Sequence, residues 1–270
     1  MAQSASPLTV KVSQDLRKIL AAPASPAQLN SALRLLAKWR ARLVQNTTLA
    51  QQGNIVASGP FAGMVYATAA TEGAALPRLL GCYEASLQPV IETIIARAYP
   101  QVVDVGCAEG YYAVGLARRM PNSTILAFDI DPNAQASTRA LAQANDVAGR
   151  VQVGGLLDHA GLAVCAQQKT VLIVDIEGAE GALLAPDLAP ALRHTDILVE
   201  THDGLQPGVS AALRKRFASS HTITQIGRDL QPQALPDWMD SLPDLDRLLA
   251  LWEWRSSPTP WLWMQAHAST

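Results

Sequence analysis

The chain has 270 residues, 21 basic against 23 acidic side chains, and is 49% hydrophobic. That length suits one sizeable α/β domain with an accessory segment and is short for two full domains. With no run of eighteen apolar residues, a membrane span and a membrane partner are not expected. The opening "MAQSASPLTVKVSQ" lacks both a basic and an apolar region, so no secretory signal is expected. Cys82, Cys107 and Cys165 are odd in number and widely spaced. They offer neither a disulfide framework nor a zinc knuckle, which fits a reducing, cytoplasmic compartment.

Residues 1–50 hold seven basic side chains (Lys11, Arg17, Lys18, Arg34, Lys38, Arg40, Arg42) against one acid, Asp15. A basic arm for nucleic acid is one reading, but no interleaved aromatics offer base stacking. The preferred reading is the solvated face of an amphipathic helix, with Leu29, Leu33, Leu36 and Leu43 as its apolar face. Ser25 and Pro26 make an N-cap and first-turn pair for a helix running to about Val44. A glycine-rich loop follows, and "GCYEASLQPVIETIIARAYP" reads as a further helix ending near Pro100.

From there strands alternate with helices. Strands are expected at 101–106, 124–129, 151–155, 170–176, 195–200, 221–226 and 261–267, and helices around 111–120, 132–145, 179–192 and 207–218. This predicts a doubly wound, Rossmann-like, seven-stranded and mostly parallel sheet with an N-terminal helical extension. Segment 228–260 breaks the alternation and reads as an insertion. Trp238, Trp252 and Trp254 lie within it, and Trp261 and Trp263 follow. It suits an aromatic lid, a core contact or a dimer contact equally.

"VVDVGCAEGYYAVGLA" carries an apolar strand into Gly106 and Gly110 and then into a helix. In open α/β sheets ligands bind beyond the carboxyl ends of the strands. The G-x-x-x-G spacing is not the G-x-G-x-x-G dinucleotide pattern. Asp104 and Glu109 would repel a pyrophosphate and accept a cationic amino-acid group. The second strand ends in "AFDIDPNA": Asp131 before Pro132 suits an N-cap, and Asp129 suits a ribose diol, because a carboxylate accepts from both hydroxyls. A nucleoside ligand follows from the pair of features.

These residues resemble the class I S-adenosylmethionine-dependent methyltransferases, over roughly residues 100–200. The resemblance implies S-adenosyl-L-methionine as cofactor. Gly106, Ala108 and Gly110 would line its amino-acid end, with Asp104 and Glu109 nearby. Asp129 would hold the ribose, Ile130 would flank the adenine, and Gly155 and Leu156 would form the adenine-side loop. The chain would divide into a helical lead-in, 1–98, and a cofactor-binding domain, 99–270, interrupted at about 228–260.

"TVLIVDIEGAEGALL" ends a buried strand in Asp175, Glu177 and Glu180, and "ILVETHD" ends the next in Glu200, His202 and Asp203. With the glycine loop and the upstream "LLGCYEASL", these stretches resemble the FkbM-type methyltransferases, which implies methylation of a hydroxyl oxygen on a sugar or other small molecule. The turn after the fourth strand has no proline or aromatic of the kind common in nitrogen methyltransferases. His202, between Glu200 and Asp203, is the candidate base for the hydroxyl proton, with Glu177 facing the acceptor. Asp175 would face the cofactor's sulfonium or a metal. Asp175, Glu200 and Asp203 are the candidate ligands for a divalent metal such as Mg2+. Glu180, one turn into a helix, reads as structural, an acid favoured near a helix N-terminus. Tyr83 and Glu84 are equally suited to contact the cofactor or merely to pack and to face solvent. Competing functions are an NAD-dependent oxidoreductase and a non-catalytic, methyltransferase-like binding module. The basic helix and the Trp cluster are each able to build a homodimer contact.

Overall fold

A computed structural model describes residues 5–67, 74–229, 234–255 and 257–268. Among these, seven strands form one sheet: β1 (Gln101–Val105), β2 (Thr124–Phe128), β3 (Val151–Gly154), β4 (Thr170–Val174), β5 (Asp196–Glu200), β6 (His221–Ile226) and β7 (Trp261–Ala266). Their order is β3-β2-β1-β4-β5-β7-β6, parallel except for β7, which runs antiparallel to both neighbours. This is the Rossmann-like sheet of the class I methyltransferase fold, with a helical extension before it.

The extension holds α1 (Pro7–Leu20), α2 (Pro26–Gln52), α3 (Ala75–Leu80) and α4 (Gln88–Arg97). Between the strands in chain order come α5 (Tyr111–Arg119), α6 (Pro132–Ala144), α7 (Glu180–Leu183), α8 (Val209–Phe217) and α9 (Asp244–Ala250), the last packed against α2. No helix among the described residues is long and apolar enough to cross a membrane.

Burial on both faces explains the unbroken apolar runs of the central strands. Val171 and Ile173 of β4 pack into one layer with α5 residues such as Val114 and Leu116. Leu172 and Val174 pack into the opposite layer with Leu213 and Phe217 of α8. Each such side chain contributes roughly 1.5–3 kcal/mol of burial. Because the connections leave β1 in one direction and β4 in the other, the strand order reverses between β1 and β4. That reversal opens a crevice at their carboxyl ends. The two strands end in register, with Val105 opposite Val174. Gly106 follows at φ +82°, and a Cβ there would lie 1.6 Å from the Asp175 carbonyl oxygen, so only glycine fits.

Several expectations need correction. The predicted helix at 179–192 is one turn, α7, then a loop and a 3-10 turn at Pro190–His194. Pro186 and Pro190 each lack the N–H that a helix needs. The predicted helix over 81–100 begins only at Gln88, because Gly81 and Glu84 adopt left-handed backbone. The N-terminal helix runs past Val44 to Gln52, and Ser25 caps it by accepting from Gln28 N–H at 3.1 Å.

The polarity of α2 is also reversed. Leu29 and Leu33 are exposed (60% and 65%), and Ala32, Ala41, Val44 and Thr48 are the buried positions. Part of the basic face packs against the Trp-rich insertion. Arg40 holds Asp246 of α9 with two hydrogen bonds (2.6 and 2.5 Å), and Lys38 lies 4.8 Å from the Trp254 ring centroid. Small residues mark the packed face of α2, and Asp246 offsets the Arg40 charge where the two helices meet.

Candidate active site

A cavity of about 450 Å3 opens at the carboxyl ends of β1, β2 and β4. Gly106 and Ala108 form one side, and Asp129, Ile130, Gly155 and Leu156 form another. Ile130 and Leu156 are 77% and 78% exposed, an arrangement for two large apolar side chains that suits a planar ring between them. Ile176, Ala182 and Leu183 add an apolar wall. The Asp129 carboxylate orders the rim: one oxygen accepts from Ala108 N–H (2.9 Å) and the other from Asp131 N–H (2.8 Å). Each oxygen keeps a further lone pair for a hydroxyl. Asp131 caps α6 through Asn133 N–H at 2.9 Å.

A smaller, polar space adjoins the first and shares Gly106, Ala108 and Asp175 with it. Asp104 and Glu109 line it, with Arg78, Tyr83 and Tyr111 opposite. Glu109 accepts from the Tyr66 hydroxyl (2.6 Å) and pairs with Arg78 (3.1 Å). The Arg78 guanidinium stacks on Tyr83 at 3.9 Å. Asp104 has a buried Oδ2 with no hydrogen-bond partner, and burial together with the Asp129 charge pushes its carboxyl up to about 7. A buried carboxylate with one oxygen left unpartnered beside an opening is a natural receiver for a cation. Gly110 stands apart from both cavities: it starts α5 at φ +92°, and a Cβ would come within 2.9 Å of Thr138.

The ends of β4 and β5 bring acids to one imidazole. His202 is buried, and its Nδ1 lies 2.6 Å from Oε1 of the fully buried Glu180. Its Nε2 faces Asp175 Oδ1 at 3.6 Å, Glu177 Oε2 at 3.4 Å and Glu200 Oε2 at 3.6 Å. Burial alone would lower the His202 pKa, but the Glu180 hydrogen bond and the charges of Glu200, Glu180 and Glu177 raise it above the usual imidazole value. Burial works to raise Glu180, yet the bonds from His202 and from Gly178 N–H hold it below the usual carboxylate range. Asp175 is driven well up by burial and by the Glu200 and Glu84 charges. Glu177 sits at φ +52°, a left-handed conformation that turns its half-exposed side chain back toward His202.

Behind this cluster Arg255 ties three segments together. It bonds Glu84, Glu200 and Thr259, and Glu253 at 3.0 Å. The Tyr112 hydroxyl donates to Glu84, whose carboxyl burial and Glu200 push up to about 7. Glu84 is therefore an internal acid rather than a solvated one, and Tyr83 packs along the polar space.

Sequence reasoning identified Asp175, Glu177, Glu200 and His202, and the fold brings them together. It paired His202 with its chain neighbours, whereas the carboxylate that orients the ring is Glu180, expected to be structural. Asp203 does not join the group of ligating atoms, which is Asp175, Glu200 and His202, within 4.8 Å of one another among the described residues. Asp203 instead accepts from Gly208 and Ser210 N–H at the start of α8 (3.1 and 3.4 Å). Arg78, Arg255 and Glu253 were missed. No local pattern marks them, because each reaches the site from a segment distant in sequence.

The family described as the methyltransferase small domain matches residues 86–163 of the chain. No curated protein matches it in sequence. Among solved structures, Rv0187 from MTB in cofactor-bound form is 14% identical, covers 98% of this chain and 100% of its own, and has a TM-score of 0.45. The O-methyltransferase TomG from Streptomyces achromogenes, in complex with SAM, is 16% identical, with 55% of this chain and 74% of its own covered at a TM-score of 0.42. An O-methyltransferase from Bacillus cereus, in complex with SAH, is 12% identical, with 70% and 83% covered at a TM-score of 0.42.

Proposed function

We propose that the protein is an S-adenosylmethionine-dependent methyltransferase acting on a hydroxyl oxygen of a small molecule or sugar. One observation carries this reading: a cavity of a size and lining that suit a nucleoside meets an acid–imidazole cluster at two shared residues, Asp175 and Glu177. Ile130 and Leu156 would flank the adenine, with Gly155 beneath it, and Asp129 would accept from the ribose hydroxyls. Gly106 and Ala108 would line the amino-acid end, and the unpartnered Asp104 oxygen would meet its ammonium. The residues present therefore fit the cofactor at both ends.

When bound, the cofactor supplies a sulfonium methyl group, already a strong electrophile. The chain's task is to hold an acceptor oxygen in line with it and to deal with the hydroxyl proton. Positioning supplies up to about 7–11 kcal/mol in well-aligned cases. Asp175, Glu177, Glu200 and His202 are the groups at that edge able to attract or displace the proton. The "VDIEGAE" and "ILVETHD" stretches, with their FkbM-type resemblance, support a hydroxyl as acceptor. An NAD-dependent oxidoreductase is disfavoured because a pyrophosphate at the glycine loop would face Asp104, Asp129 and Asp175.

Thermal stabilisation tests the reading, since a ligand of the native state raises the melting temperature by mass action. S-adenosylmethionine and S-adenosylhomocysteine are expected to stabilise the protein, and NAD and NADP are not. Stabilisation by NAD with none by either sulfur nucleoside would falsify the proposal.

A further inference from the structure

We infer that Arg78 anchors the carboxylate of the cofactor's amino-acid end and makes the site selective for a nucleoside that carries that carboxylate. The inference rests on the proposed function and deepens it. It adds a residue from the helical lead-in, outside the 99–270 domain expected from sequence and outside the 86–163 stretch that matches the family.

Burial raises the question. All six residues of α3 are buried, and Arg78 is the one charged side chain among them. Packing accounts for the others. Leu79 joins Phe61 and Ile91 in the main core, while Leu76 and Leu80 join Val44 and Met239 where the insertion meets α2. A guanidinium placed at such a position costs desolvation and needs charged or hydrogen-bonded partners to offset it. Arg78 is accordingly held on several sides. Its Nε lies 3.1 Å from Glu109 Oε1, an Nη1 hydrogen reaches the Ala74 carbonyl at 3.4 Å, and its plane stacks on Tyr83. A guanidinium fixed in this way presents its charge at one defined place.

That place is the polar space beside the nucleoside cavity, which Arg78 lines together with Asp104, Gly106 and Ala108. The amino-acid end of the cofactor is a zwitterion. Its ammonium is assigned to Asp104, and an arriving cation favours the ionised form of that acid. The carboxylate beside it then needs a cation of its own. Arg78 is the one Lys or Arg among the described residues that line this space or the nucleoside cavity. It stays protonated in a protein, and its planar set of five N–H donors matches a carboxylate with two parallel bonds. The same fork can bridge two carboxylates, so Glu109 and the ligand would share it. Asp104 and Arg78 would then read the two charges of one zwitterion, and a nucleoside without the tail would satisfy neither.

Calorimetry on the full chain tests this with three ligands. S-adenosylhomocysteine carries ammonium and carboxylate, S-adenosyl-3-thiopropylamine carries the ammonium alone, and 5′-methylthioadenosine carries neither. Wild type is expected to prefer S-adenosylhomocysteine over the amine by about 10–100-fold, the scale of hydrogen bonds to a charged group. Arg78→Met should erase that preference and leave the affinity for 5′-methylthioadenosine unchanged. Arg78→Lys keeps a point charge without the fork and should keep only part of the preference. A purely structural role would weaken all three ligands together, and that result would overturn the inference. So would a wild type that binds S-adenosylhomocysteine no better than the amine. Should Arg78→Met fail to fold, because it takes a cation from the buried Glu109, Arg78→Lys decides alone: an undiminished preference would overturn the inference. Binding of none of the three ligands by wild type would overturn the methyl-transfer reading itself, and the inference with it.

Discussion

On the β1–β2–β3 side, the strands end in an open cavity of about 450 Å3, with two exposed apolar side chains and a carboxylate already held by backbone N–H groups. On the β4–β5 side, strands of the same apolar type end in packed charge: Glu180, Glu200 and His202 are buried, and Arg255 braces them from behind. The first region costs little to build and offers shape. The second costs desolvation at every group and offers electrostatics in a site sheltered from water. Under the proposed function, recognition of a bulky, ready-made molecule would belong to the first, and management of a proton to the second. Asp175 and Glu177, shared between them, would be where the two tasks meet.

If that division is right, mutations on the two sides should separate. The largest effect falls on the charged side: His202→Ala should lower turnover about 10²–10⁴-fold while stabilisation by S-adenosylhomocysteine persists. Loss of both together would break the comparison.

Next comes Asp104, an acid stranded where the two regions join. Its carboxyl is raised to about 7 from 3.8 by burial and by Asp129. Between those values the unfolded chain ionises and the folded chain does not. Ligand-free stability therefore falls as pH rises through this window, by an upper bound on the order of 4 kcal/mol once above it. Asp104→Asn removes the deficit. Thermal melts should show the variant gaining over wild type at pH 8 and gaining much less at pH 5. An equal gain at both would mean that Asp104 does not titrate in this range.

On the cavity side, Asp129→Ala should weaken S-adenosylhomocysteine binding about 10–100-fold, the scale of losing hydrogen bonds to a charged acceptor. Turnover at saturating cofactor should change much less than in His202→Ala. The smallest effect is Leu156→Ala, which removes apolar contact at the rim. A loss of a few-fold in cofactor affinity is expected, from roughly 1 kcal/mol of burial, and calorimetry would resolve it. An Ala variant as damaging as Asp129→Ala would shift the recognition from the ribose to the ring.

The sheet was legible because its information is local. All seven strands fall where apolar runs predicted them, and β6 matches residue for residue at His221–Ile226. Asp129, Ile130 and Leu156 were legible for the same reason, each directly following a strand. Legibility failed where partners come from afar. Glu180 looked like an acid at a helix start, yet the fold sets it against His202, 22 residues away. Arg255 meets Glu84 across 171 residues. The leucine spacing of α2 described a real stripe but not which side is covered, because Ala32 and Ala41, with no large side chain, mark the packed face. The helix expected at 179–192 failed to a more local signal, two prolines that its apolar pattern outweighed.

The central claim is that the cavity beside Asp129 holds S-adenosylmethionine. Photo-crosslinking with methyl-labelled S-adenosylmethionine, followed by peptide mapping, tests it most directly. The account predicts label on the segments that contain Gly106–Gly110, Asp129–Ile130 or Gly155–Leu156, and loss of label with excess S-adenosylhomocysteine but not with NAD. Label confined to other segments, or label competed away by NAD alone, would contradict it.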